Sequence, residues 1–259
     1  MIETHGTFVW YELMTSDIAG AERFYRSVVG WSAADAGMPG MTYVLLSAGG
    51  TAVAGLMTLP DEVRQAGGRP GWLGYITVDD VDADAAAVAA AGGTVHRAAD
   101  DIPGVGRFAV VADPQGTVFA LFKGASEGPP PAPRGTPGHA GWHELLATDG
   151  ASAFDFYGPL FGWRKDEALD MGPIGTYQLF KPRAGDDAIG GMMTKPKECP
   201  GPLWNFYFNV PAIDAAVERV TAAGGQIVNG PMEVPGGAWI VQGIDPQGAM
   251  FSLVAPPKG

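Results

Sequence analysis

The sequence predicts an α+β protein built as a tandem duplication, and three observations carry that prediction. Distinctive residues of the first half recur 132 positions later: Trp10 and Glu12 as Trp142 and Glu144, Phe24-Tyr25 as Phe156-Tyr157, Gly30-Trp31 as Gly162-Trp163, and Asp113-Pro-Gln-Gly116 as Asp245-Pro-Gln-Gly248. An offset sustained over a hundred positions marks a duplicated domain and not a solenoid of short units. The 39 Gly and 22 Pro fall between apolar runs, which signals many turns and a strand-rich chain. Each half, finally, reads twice as strand, helix, then strands.

In the first half, residues 8–15 are rich in strand formers, and Ser16 or Asp17 offers an N-cap to a helix with Ile18, Ala21, Phe24, Tyr25, Val28 and Val29 on one face. Gly30 ends that helix. Residues 41–47 and 52–59 follow as a hairpin around Gly49-Gly50, with a third pairing partner nearby. A second unit starts at residues 72–78, continues through an Ala-rich helix over 81–91 that Gly92 closes at C′, and resumes strands. Residues 105–111 and 117–122 flank Asp113-Pro-Gln-Gly116, which has Asp, Pro and Gly where a type I turn favours them. The second half repeats the plan, with Pro211 opening its second helix and Gly158-Pro159 expected to shorten or kink its first.

Residues 125–138 contain too much Pro and Gly for a helix or a paired strand, so they predict an extended linker between domains at 1–124 and 139–259. A net charge of −12 repels phosphate backbones and anionic membranes, which argues against nucleic acid or membrane partners. No apolar run has membrane-spanning length and the N-terminus lacks a basic-then-apolar leader, so the expectation is a cytoplasmic protein. It would be a monomer with an internal pseudo-dimer, or a homodimer. The one cysteine, Cys199, forms no internal disulfide and reads as an inert loop thiol.

Four successive strand-helix-strand units, Phe-Tyr followed by Gly-Trp at the first helix end, Val78-Asp-Asp-Val-Asp82, and the Asp-Pro-Gln-Gly hairpin together resemble the vicinal oxygen chelate superfamily, which includes glyoxalases, bleomycin resistance proteins and extradiol dioxygenases. The resemblance spans about residues 6–124 and 138–257. It implies two glyoxalase-like domains, each of two βαβββ modules whose mixed sheet curls into a cup with helices outside. In metal enzymes of the superfamily a divalent ion sits in that cup. The positions that would hold it fall at Trp10 and Trp142, at or beside Leu73 and Asn205, and at Ala120 and Ser252. These residues offer almost no ligands for such an ion, so no metal site and no cofactor are expected. A site from His139, His143 and Glu144 is disfavoured, because strand alternation splits His143 from Glu144. His5 and His96 read as surface or packing residues.

What remains to line a cup is a repeated acid and many aromatics. Glu12 and Glu144 follow the two Trp by two residues and so share their face; a carboxylate there can act as general base or accept a ligand hydrogen bond, or it can simply pair with Arg107 or a Tyr hydroxyl. Tyr43 and Tyr177 are candidate donors to an oxyanion. Trp10, Trp142, Trp72, Trp204, Tyr75, Tyr207 and Trp239 suit a planar ligand, while Met57, Met192 and Met193 could form an adaptable wall; core packing is the competing role for all of them. Arg107, a natural clamp for an anionic group, becomes Trp239 in the second copy, and the loop 100–106 becomes 232–237, which predicts cups that are not equivalent. The expected function is binding of a small aromatic or carbonyl-bearing metabolite in a metal-free cup, with proton-transfer chemistry of the isomerase or lyase kind from a Glu base. The alternatives are sequestration of a drug or metabolite without chemistry, and a metal-dependent lyase or dioxygenase with unusual ligands.

Overall fold

Three helices begin on an aspartate, and the sequence offers one at each of those places. Asp17 accepts from the backbone N–H of Gly20, Asp80 from those of Asp82 and Ala83, and Asp149 from those of Ala151 and Ser152. Each carboxylate satisfies donors that a helix start leaves unpaired. The computed structural model describes residues 4–258. Its first half runs β1 (Phe8–Thr15), α1 (Ile18–Val28), β2 (Ser32–Asp35), β3 (Tyr43–Ala48), β4 (Thr51–Thr58), a short α2 (Asp61–Gln65), β5 (Gly71–Thr77), α3 (Val81–Ala90), β6 (Thr94–Ile102), β7 (Gly106–Ala112) and β8 (Val118–Gly124). The second half runs β9 (Ala140–Ala147), α4 (Gly150–Phe161), β10 (Arg164–Asp170), β11 (Thr176–Lys181), β12 (Gly190–Thr194), β13 (Leu203–Asn209), α5 (Ile213–Ala222), β14 (Gln226–Glu233), β15 (Trp239–Ile244) and β16 (Met250–Ala255). Residues 125–138 hold neither helix nor strand.

Each half supplies one eight-stranded mixed sheet, in the orders β2-β3-β4-β1-β5-β8-β7-β6 and β10-β11-β12-β9-β13-β16-β15-β14. The parallel pairs are β1 with β4, β5 with β8, β9 with β12 and β13 with β16, each closing a module whose other neighbours are antiparallel. Among the described residues no helix is long and apolar enough to cross a membrane.

Several elements differ from the sequence expectation, each for a physical reason. The outer strands β2, β6, β10 and β14 are mostly exposed, so they carry no apolar alternation to announce them. Residues 100–102 and 232–233, read as loop, belong to β6 and β14. Pro211 does not open α5: the N-cap is Ala212 and the first helical residue Ile213. Pro159 neither shortens nor ends α4, which runs 12 residues through it to a left-handed Gly162. Burial of Phe154, Phe156, Tyr157 and Phe161 along α4 outweighs the hydrogen bond that the proline removes.

By packing, the chain divides into two compact units, each drawing on both halves of the sequence. One comprises the described residues through Val9, Gly74–Pro130 and His143–Trp204; the other comprises Trp10–Leu73, Pro131–Trp142 and the residues from Asn205 onward. The same arrangement lies at the centre of each. In the second, Tyr25 from α1 donates its hydroxyl to Asp245 at 3.0 Å and accepts the Trp72 indole N–H at 3.0 Å. The other oxygen of Asp245 accepts the backbone N–H groups of Gln247 and Ala249, fixing the turn between β15 and β16. In the first unit Tyr157 from α4 donates to Asp113 at 3.1 Å and accepts from Trp204 at 3.1 Å, while Asp113 takes the N–H groups of Gln115 and Thr117. The repeated Gly-Trp motif does parallel work, since Trp31 donates to the Gly138 carbonyl and Trp163 to that of Gly6, each at 2.7 Å.

Tyr25 is fully buried and its ring packs edge-on to Phe24, Trp72 and Phe251. Tyr25→Phe would keep that packing and leave a buried carboxylate oxygen and an indole N–H without their shared partner. The expected loss is about 1.5–3 kcal/mol, the range for hydrogen bonds to charged groups. A denaturant midpoint unchanged from the parent would show that the hydroxyl contributes nothing.

Candidate functional site

Strand alternation gives β1, β4 and β3 two different faces. Leu13, Leu56, Val44, Leu46 and Ala54 lie buried on the side of α1. The opposite face carries Trp10, Glu12 and Met14 from β1, Gly55 and Met57 from β4, and Tyr43 and Leu45 from β3, aligned by the pairings Glu12 to Gly55 to Leu45 and Met14 to Met57 to Tyr43. Trp10, Met14, Met57, Tyr43 and Leu45 are all half-buried, so this apolar face remains within reach of a solute.

Three polar tips form a chain across it. The Trp10 indole N–H donates to the Tyr43 hydroxyl oxygen at 3.0 Å, and that hydroxyl donates to Glu12 at 2.9 Å. Glu12 is only 7% exposed. Burial, and then the negative charge of Glu12, push the Tyr43 phenol above its ordinary value, so it stays a neutral donor. Its single proton is directed at Glu12; donation to an oxyanion would require that bond to break. Gly55 makes the arrangement possible, because a Cβ there would collide with the Tyr43 hydroxyl. A glycine inside a strand, matched by Gly191 in the other copy, was a legible mark of close approach.

The second copy repeats the face with β9, β12 and β11. Glu144 pairs in register with Gly191, and Gly191 with Leu179; a Cβ on Gly191 would strike the Tyr177 ring. Glu144 is buried, Trp142 and Tyr177 half-buried, and Met193 buried beside Leu146 in register. Met192 is wholly buried on the opposite face.

The remaining candidates lie elsewhere. Trp72 and Trp204 point into the cores, with their indole N–H groups on Tyr25 and Tyr157. Tyr75 is buried among Phe108 and Phe122, and Tyr207 accepts a hydrogen bond from Gln242 at 2.7 Å. Arg107 is held by Asp82 and Asp101, both exposed, and its hydrogen bonds hold the Asp82 carboxyl below the usual carboxylate range. At the matching place Trp239 lies under the ammonium of Lys258, 3.8 Å from the ring centre, and Lys258 bonds Asp214, the counterpart of Asp82. The second copy therefore keeps a cation on that aspartate although the Arg is gone.

The positions that the resemblance assigns to a divalent ion do not fit one. Trp10 presents an N–H donor rather than a lone pair, Leu73 and Ala120 are buried and apolar, and Ser252 donates to Asn205 at 3.0 Å. Among the described residues no three His, Cys, Asp or Glu side chains gather as a metal site would require. His143 is buried, stacks on Phe8 with ring centres 4.4 Å apart and contacts the Ile189 carbonyl through Nδ1.

The model of the glyoxalase/bleomycin resistance protein/dioxygenase superfamily matches residues 7–121 and 137–253, and the chain belongs to that superfamily. It is 34% identical over 97% of its length to a Mycobacterium tuberculosis protein named "Putative glyoxylase CFP32", covering 95% of that protein. It is 33% identical over 98% of its length to the anthracycline biosynthesis protein DnrV of Streptomyces peucetius, covering 94% of it. Among solved structures, the Mn(II)-bound glyoxalase from Novosphingobium aromaticivorans aligns with a TM-score of 0.68 at 18% identity, over 98% of this chain and 83% of that one. The homoprotocatechuate 2,3-dioxygenase from Brevibacterium fuscum in its substrate complex aligns at 0.67 and 15%, over 100% and 83%. At these identities the structures establish the fold.

Two measurements check this geometry. Gly55→Ala should cost about 1–3 kcal/mol through overpacking against Tyr43, and the cost should shrink when Tyr43→Ala is added. Additive effects in that double-mutant cycle would mean the two residues do not touch. Burial lowers His143 from its usual value near 6.5 to about 4. The folded chain thus binds this proton less readily than the unfolded one, so the contribution is present above pH 6.5 and is lost as pH falls towards 4. Denaturant unfolding at pH 7 and pH 5 should differ by about 2 kcal/mol more in the parent than in His143→Gln. Equal differences in parent and variant would contradict a buried neutral imidazole.

Proposed function

We propose that the chain binds a small aromatic or carbonyl-bearing metabolite on the Trp10, Glu12 and Tyr43 face without a resident metal, and that its chemistry is a proton transfer of the isomerase or lyase kind with Glu12 as base. The observation that carries this reading is the chain from the Trp10 N–H through the Tyr43 hydroxyl to Glu12, set on a half-buried apolar face and beginning at the first-strand position that the resemblance assigns to a metal ligand. Trp10, Met14, Leu45 and Met57 suit one side of a planar ring system. A buried carboxylate next to an indole donor suits enolisation, in which Glu12 takes a proton from carbon and the Trp10 N–H, once released from the Tyr43 hydroxyl, stabilises the developing oxyanion. The name of the Streptomyces peucetius relative, an anthracycline biosynthesis protein, agrees with a polycyclic, carbonyl-bearing ligand. Sequestration without chemistry is the second reading, and the direction of the Tyr43 proton onto Glu12 favours it, because a carboxylate already accepting a hydrogen bond is a weaker base.

The test uses chelator-treated protein titrated with a hydroxyanthraquinone and followed by tryptophan fluorescence, with mass spectrometry of the recovered ligand. Saturable binding that survives chelation is expected, and binding that appears only after a divalent ion is added contradicts the reading. Ligand altered by the parent and unaltered by Glu12→Gln identifies proton transfer. Ligand bound yet unaltered by both leaves sequestration.

A further inference from the structure

We infer that Tyr43 occupies the place of a ligand's aromatic hydroxyl, and that a neutral hydroxyaromatic compound binds by exchanging with it between Trp10 and Glu12. The inference rests on the binding reading above and names its ligand class.

The Tyr43 environment has the form of a binding site for a phenol. Its oxygen receives one N–H from Trp10 at 3.0 Å and its proton goes to Glu12 at 2.9 Å, so one donor and one charged acceptor define an O–H group and its orientation. Its ring lies over a strand glycine that leaves a flat floor, and Met14, Met57 and Leu45 share the face. A tyrosine present only for packing would need no carboxylate at its hydroxyl, and the buried Glu12 supplies one.

Tyr43 is also placed to leave. It is half-buried, it is the first residue of β3, and the exposed segment before it contains Gly37 and Gly40 with positive φ. The second copy reproduces these features: Tyr177 lies over Gly191 near the start of β11, shortly after Gly172 and Gly175, both with positive φ. A ligand hydroxyl entering between Trp10 and Glu12 would replace the two Tyr43 hydrogen bonds with equivalent ones, while its remaining rings add apolar contact with Met14, Met57 and Leu45. A charged phenolate is disfavoured there, because burial and Glu12 both oppose a second negative charge.

The experiment compares 1-naphthol with its methyl ether, which has the same rings and no proton to give, by calorimetry on the full chain. Tyr43 is observed in parallel by fluorine NMR of protein labelled with 3-fluorotyrosine, its signal assigned with Tyr43→Phe. The naphthol should bind about tenfold or more tightly than the ether, as expected for a hydrogen bond to a charged acceptor. The preference should vanish in Glu12→Leu, and the Tyr43 signal should shift with the naphthol. Equal affinities, or tight naphthol binding with the Tyr43 signal unmoved, would overturn the exchange while leaving aromatic binding intact. Failure of both compounds to bind would sink the exchange and the binding reading together.

Discussion

The buried tyrosine–aspartate hydrogen bond is the constraint on which the rest of the molecule depends. It occurs twice, as Tyr25 with Asp245 and Tyr157 with Asp113, and each time the helix comes from one half of the sequence and the turn from the other. Burial pushes the Tyr25 phenol far above its ordinary value, and the charge of Asp245 pushes the same way, so the hydroxyl remains a donor. The aspartate in turn accepts two backbone N–H groups and so holds its hairpin. One carboxylate thereby fixes a turn, a helix and, through Trp72, a strand of the sheet.

That interlock leaves one face of the sheet only half-buried. Helices and core aromatics take one side of β1, β4 and β3, with Leu13, Leu46 and Leu56 fully buried there. Period-2 alternation then obliges Trp10, Glu12 and Tyr43 to project from the other side. Glu12 recurs as Glu144, in register with a glycine in both copies. Shape at this face therefore comes from a strand glycine in each copy, and polarity in the first copy from Glu12, Tyr43 and the Trp10 indole.

Much of this was legible in the residues. The N-cap at Asp17, the end of α1 before Gly30, the turn at Asp113 and the irregular stretch 125–138 follow from local chemistry that packing does not override. Glu12 could also be read, with a Tyr hydroxyl among its expected partners. The pairing of Tyr157 with Asp113 was hidden, because an internal repeat reveals which positions are equivalent and not which ones touch. Trp72 and Trp10 look alike as strand aromatics, yet one indole closes a core and the other faces the half-buried side; only register separates them. A third partner for the first hairpin was legible, but not its bounds, because exposure on both faces of the outer strands removes the alternation that identifies a strand. Lys258 over Trp239 was beyond reach for a further reason, since the repeat offset compares Trp239 with Arg107 and has no counterpart for a cation arriving from a later segment.

On the proposed reading, the Trp10 N–H and the Glu12 carboxylate together receive the ligand's oxygen on this face. A crystal structure of chelator-treated protein with a bound hydroxyaromatic ligand tests it most directly. The ligand oxygen is expected within hydrogen-bond distance of both Trp10 Nε1 and the Glu12 carboxylate, with its ring over Gly55 and Tyr43 moved aside. A ligand seated elsewhere, or one that enters only when a divalent ion is supplied and bridges to it, would contradict the claim.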